Sequence, residues 1–168
     1  MKSLMLLRHA EALSATPALT DIDRVLSLHG KRQARRLGKW LGAHGWAPQR
    51  ILCSSAVRAR QTADAVTAAA EWNTPMLVLE RLYNASADEL LGVLHEQATD
   101  IDGVLLIAHA PGIGELASAL TTRQADLSLN CEPATLIEVV VAVDRWSDVK
   151  RNCGKLNLLL PSLSPTGW

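Results

Sequence analysis

Phenylalanine is absent from this 168-residue chain, and tyrosine occurs once. Five Trp must supply the large core pieces, with Ala, Leu and Val filling the rest. Net charge is absent too, because 17 Lys and Arg balance 17 Asp and Glu. That balance argues against a polybasic binder of nucleic acid or of membrane surfaces. No run approaches the ~18 apolar residues that cross a bilayer. The stretch 1–7 begins like a leader, but Arg8 and His9 cut its apolar part below the usual core of about 7–15 residues. It reads as a buried strand. Cys53, Cys131 and Cys153 are odd in number and form no CxxC or Cys/His ligand spacing. Free thiols in a reducing cytoplasm are expected, with no metal and no cofactor.

The length suits one domain spanning 1–168, able to bury about two-thirds of its unfolded surface. The zero net charge hides an asymmetry. Residues 1–60 hold eleven Lys and Arg against three Asp and Glu, a net of +8, and the remainder is correspondingly −8.

Short apolar runs alternate with amphipathic stretches. Strands are expected at 3–7, 51–53, 76–79 and 103–108, with late antiparallel segments at 135–143 and 155–160. Helices are expected at 30–44, 55–72 (from a Ser54-Ser55 cap), 86–99 (from a capping box at Ser86) and 112–120. Residues 161–168 read as loop. This alternation predicts a three-layer α/β/α sandwich with a mostly parallel central sheet. Such sheets bind ligands outside the carboxyl ends of their strands.

Three strand ends carry titratable or cationic groups. Arg8-His9 follows the first strand; alone, it reads equally well as a surface Arg beside a capping His. Arg58 falls in the first turn of the helix after the second strand. A cation there opposes the helix dipole, and a bound phosphate would offset that cost. Arg also offers phosphate a planar fork. His109 follows the apolar run 103–108 and precedes Pro111-Gly112, a turn into another helix. Singly, each has an ordinary structural explanation. Together they describe a phosphate pocket with two histidines.

Arg8-His9-Ala10 resembles the R-H-G/A signature of the histidine phosphatase (phosphoglycerate mutase-like) superfamily. Residues 54–62 resemble its S-P-x-x-R-A-x-x-T segment, and residues 108–112 its S/G-H-x-P-G segment. The stretch 21–30, with Asp23-Arg24 and then Gly30, is similar to the short SixA-type branch, as is Tyr83-Asn84-Ala85-Ser86 followed by Leu90-Leu91. The likeness covers nearly the whole chain. Ser55 stands where the family has Pro, and Val25 where it has Pro after Asp-Arg; neither change removes a functional group.

The resemblance implies a phosphoglycerate mutase-like fold and a phosphatase that works through a phosphohistidine intermediate. His9 would be the nucleophile, and Arg8, Arg58 and His109 would hold the phosphoryl oxygens. His9 must then be neutral at its attacking nitrogen, with the other nitrogen held by a hydrogen bond. Arg24 is a substrate contact or the partner of Asp21 or Asp23. Glu80, after the third strand, is the positional candidate for a general acid. Lys31, Arg32, Arg35, Arg36 and Lys39 read as a solvated helix face and a basic rim. The implied substrate is phosphohistidine on a protein such as a phosphorelay or phosphotransferase domain. A small phosphomonoester is the alternative within enzymes, and a non-catalytic phosphoprotein-binding module the alternative outside them. A cytoplasmic monomer is expected.

Overall fold

A computed structural model describes residues 1–17, 19–122 and 129–162. Residues 163–168 of the expected terminal loop lie outside the described residues. Six strands form one sheet in the order β3-β2-β4-β1-β5-β6. They are β1 (Lys2–Arg8), β2 (Arg50–Ser54), β3 (Met76–Leu79), β4 (Gly103–Ala108), β5 (Leu136–Val141) and β6 (Gly154–Leu160). The first four strands are parallel, β5 runs antiparallel to β1, and β6 runs antiparallel to β5. The helices are α1 (Leu28–Ala43), α2 (Val57–Ala70), α3 (Ala87–His95) and α4 (Gly112–Thr121).

Successive strand side chains point to opposite faces, so a continuous apolar strand feeds two cores. Leu4, Leu6, Leu52, Val104 and Leu106 pack with α3 and α4. Met5, Leu7, Ile51, Cys53, Leu105 and Ile107 pack with α1 and α2. The three-layer sandwich follows directly. Trp146 fills the first core, fully buried, and donates its indole N–H to Ile101 O at 2.6 Å. Trp40, Trp46 and Trp72 lean on the second core.

Several boundaries differ from the sequence expectation. Helix α1 starts at Leu28 because Ser27 caps it, accepting from Gly30 N at 2.9 Å. Helix α2 is capped by Ala56, with no side-chain bond, so the Ser54-Ser55 cap is not formed. Ser54 is drawn instead to His109. Helix α3 stops at His95, and Gln97 Nε2 satisfies the Val93 carbonyl at 2.8 Å. Strand β3 is an edge, with Met76, Leu77 and Val78 37–45% exposed.

Two glycines bring elements to the site edge. A Cβ on Gly30 would collide with the Glu11 carbonyl oxygen, and one on Gly112 with that of Ala85. Only glycine lets α1 lie against the segment after β1, and α4 against the turn before α3. No helix among the described residues is long and apolar enough to cross a membrane.

Candidate active site at the ends of three parallel strands

Strands β2, β4 and β1 are adjacent, and their carboxyl ends carry Arg58, His109 and His9. Arg8 pairs with Ala108, so His9 and His109 are the next residues along neighbouring parallel strands. Their ring centroids lie 5.1 Å apart, close to the ~4.8 Å spacing of paired strands. Both imidazoles are buried, at 8% and 3% exposure.

The hydrogen bonds set both tautomers. Arginine only donates, so each nitrogen facing Arg58 is an acceptor. Arg58 Nε donates to His9 Nε2 at 3.1 Å, and His9 Nδ1–H donates to Ala10 O at 2.8 Å. Arg58 Nη2 donates to His109 Nδ1 at 3.3 Å, and His109 Nε2–H donates to Ser54 Oγ at 2.7 Å. Burial pushes His9 down to about 4, with Arg58, Arg8 and Arg24 acting in the same direction. Burial also pushes His109 down to about 3, helped by His9 and Arg58. Both rings are neutral at physiological pH.

Cations surround this pair. Arg58 is 3% exposed and also bonds Asp21 through the carbonyl and the carboxylate. Arg8 Nη1 donates to Cys131 O at 2.6 Å, whereas its buried Nε has no acceptor among the described residues. A buried donor without a partner costs about 1–3 kcal/mol, so the site is suited to an incoming oxyanion. Thr62 ties α2 to the strand end, accepting from Ala10 N at 3.0 Å and donating to Arg58 O at 2.7 Å. Gln61 accepts from Leu26 N at 2.8 Å.

Arg24 donates from Nη1 to Asp21 Oδ1 at 2.9 Å and from Nε to Leu13 O at 2.7 Å. The ion-pair expectation for Arg24 is therefore met, and its charge still reaches His9. Glu80 is exposed on the 3-10 turn Glu80–Leu82. Its side chain bonds none of these groups among the described residues. Asp21, Ser54 and Tyr83 also reach the site, which the sequence pattern alone does not show. Tyr83 donates to Asp21 Oδ2 at 2.6 Å and meets the His109 ring edge-on at 5.5 Å. All three lie within the motif segments, but neighbouring residues in sequence do not show which way these side chains turn. No group of three or more His, Cys, Asp or Glu among the described residues is placed to hold a metal.

The sequence profile of the histidine phosphatase superfamily (branch 1) matches residues 4–127. The chain belongs to that superfamily. Within the superfamily, a SixA-type protein of Nakamurella multipartitia is 30% identical, covers 97% of each chain and superposes with a TM-score of 0.81. An uncharacterised protein of Mycobacterium tuberculosis is 31% identical over 157 residues, spanning 89% of this chain and 96% of its own. A phosphohistidine phosphatase SixA homolog of Haemophilus influenzae is 28% identical over 149 residues, spanning 82% of this chain and 87% of its own. These likenesses place the chain in the SixA-type branch of the histidine phosphatases, with a phosphoglycerate mutase-like fold.

Proposed function

We propose that this histidine phosphatase removes the phosphoryl group from phosphohistidine on a protein, through a phosphohistidine formed on His9. One observation carries the reading. Two buried neutral imidazoles stand 5.1 Å apart, and His9 keeps its lone pair on Nε2 because Nδ1 bears the proton held by Ala10 O. A ring in that tautomer can attack once the arriving phosphoryl group draws the Arg58 donor away from Nε2.

His9 Nε2 attacks phosphorus, forming an N–P bond as the substrate's own P–N bond breaks. The leaving imidazole takes its proton from solvent. Water then attacks phosphorus, the Nε2–P bond breaks, and inorganic phosphate departs. Phosphoryl transfer is largely positioning and charge stabilisation, which Arg8 and Arg58 supply. A phosphoryl dianion beside His109 favours its protonation and turns Nδ1 from acceptor into donor. No step uses a metal ion.

The carboxylates favour a phosphoramidate over an alkyl phosphate. Asp21 is the carboxylate that Arg58 grips, and hydrogen bonds from Tyr83 and Arg24, with the charge of Arg58, hold its carboxyl well below the usual range. Ionised, it cannot protonate a leaving alkoxide. Imidazole leaves with less help. The relative from Haemophilus influenzae carries the name phosphohistidine phosphatase, which supports the same substrate class.

The basic first helix supports a protein substrate. Lys31, Arg32, Arg35 and Lys39 are exposed, and none of them is in an ion pair among the described residues. Lys31 and Arg35 line an open groove of about 310 Å³ with Gln61, Asp64 and Ala65, one turn along α2 from Arg58. This rim suits an acidic surface around the phosphohistidine. The test is turnover of phosphohistidine peptides with Glu-rich, neutral and Lys-rich flanks, beside alkyl phosphates. Faster hydrolysis of the alkyl phosphates overturns the substrate assignment.

A further inference from the structure

Arginine carries five N–H bonds in one plane. In Arg58, two edges of that plane do different things. The outer edge grips a single residue, with Nη1 donating to Asp21 O at 2.5 Å and Nη2 to Asp21 Oδ2 at 3.0 Å. The inner edge faces both imidazoles, with Nε on His9 at 3.1 Å and Nη2 on His109 at 3.3 Å. Holding one edge of a rigid plane fixes where the other points.

Asp21 is itself anchored from outside. Tyr83 donates to Oδ2 at 2.6 Å and Arg24 to Oδ1 at 2.9 Å. Its carboxylate is 45% exposed, so it stands at the rim rather than between the rings.

We infer that Asp21 is a positioning residue, holding the outer edge of Arg58 so that the inner edge meets a phosphoryl oxygen arriving between His9 and His109. The inference rests on the phosphatase reading above. The arriving oxygen replaces the two imidazole acceptors, which frees His9 Nε2 for attack. The grip on Asp21 persists throughout. A carboxylate that merely occupied the phosphate position would have to leave instead, and its removal would speed the enzyme.

The test assays wild type, His9→Ala, Asp21→Ala and Asp21→Asn on phosphoramidate and on p-nitrophenyl phosphate. Each variant's thermal unfolding is followed in parallel. For Asp21→Ala, kcat should fall roughly 10- to 100-fold, the scale of a small misplacement of a catalytic group. KM should change by a smaller factor. Added formate, which fits the vacated exposed position, should restore part of the lost kcat in Asp21→Ala and none in His9→Ala. Asp21→Asn keeps a neutral acceptor and should lose less. A kcat within twofold of wild type in folded Asp21→Ala overturns the inference, as does a rise in kcat/KM. If Asp21→Ala does not fold, wild-type kcat in Asp21→Asn overturns it equally. Inactive, folded wild type overturns the phosphatase reading itself. An active wild type, a dead His9→Ala and an unaffected Asp21→Ala overturn the role of Asp21 alone.

Discussion

Arg58 donates its Nε–H to His9 Nε2 at 3.1 Å, so the lone pair that attacks in the proposed mechanism accepts this hydrogen bond. An oxyanion that draws this donor away both binds and exposes the nucleophile. In the proposed mechanism, binding and activation are thus one event at one hydrogen bond.

Replacing His9 by Ala should reduce turnover by at least about 10³-fold, because the covalent route is lost. Anion binding should persist, since Arg8 and Arg58 remain. Rapid acid quench should be avoided and alkaline quench used, because phosphohistidine is acid-labile; labelled phosphate should appear on wild type alone. Labelling of the His9→Ala protein would place the nucleophile elsewhere.

Stability should fall as pH drops below neutrality. Histidine titrates near 6.5 when unfolded, whereas His9 and His109 titrate near 4 and 3 in the folded chain. Between these values the unfolded state binds more protons, so unfolding free energy rises with pH. The full benefit is present above about 6.5 and is lost on descending toward 3–4. The slope is at most about 1.4 kcal/mol per pH unit per imidazole. Urea midpoints at pH 7.5 and 5 should therefore differ, and His109→Asn should shrink the difference. Equal midpoints would contradict the burial of neutral rings.

Ser54→Ala removes the acceptor of His109 Nε2–H. The ring cannot simply switch tautomer, because Nδ1–H would then face Arg58 Nη2. A buried unsatisfied donor costs about 1–3 kcal/mol, so the melting temperature should drop. Turnover should drop with it as His109 loses its orientation. Unchanged stability and kcat would show that Ser54 does not hold the ring.

Raised salt should lower kcat/KM for an acidic phosphohistidine peptide more than for phosphoramidate. Lys31→Glu with Arg35→Glu should reproduce that selective loss, leaving phosphoramidate turnover intact. Equal salt sensitivity for both substrates would remove the steering role of the first helix.

Gly30→Ala should destabilise the chain by about 2 kcal/mol or more, since the new methyl meets the Glu11 carbonyl oxygen. Chemical denaturation measures it directly. A neutral effect would show that α1 and the segment after β1 separate freely.

Much of the layering was legible from local pattern. The strand 103–108 and the edge strand 76–79 have the expected limits, because apolar runs of strand length bounded by polar residues or proline admit little else. Helix ends were less legible. Ser54 looks like a cap in one dimension, yet its hydroxyl meets a histidine 55 positions away. Glu80 has the right order along the chain for an acid, and it lies exposed on the turn after β3.

The sequence by itself determined the period of each element, the three motifs at strand ends and the concentration of cations in the first 60 residues. These are local properties, set by residue type and spacing. Only the tertiary structure decided that β2, β4 and β1 lie side by side, with registers that set His9 beside His109 and bring Arg58 to both. It also decided that Asp21 and Tyr83, 62 positions apart, meet at 2.6 Å behind Arg58. Such pairs depend on crossover and register, and no local period encodes either.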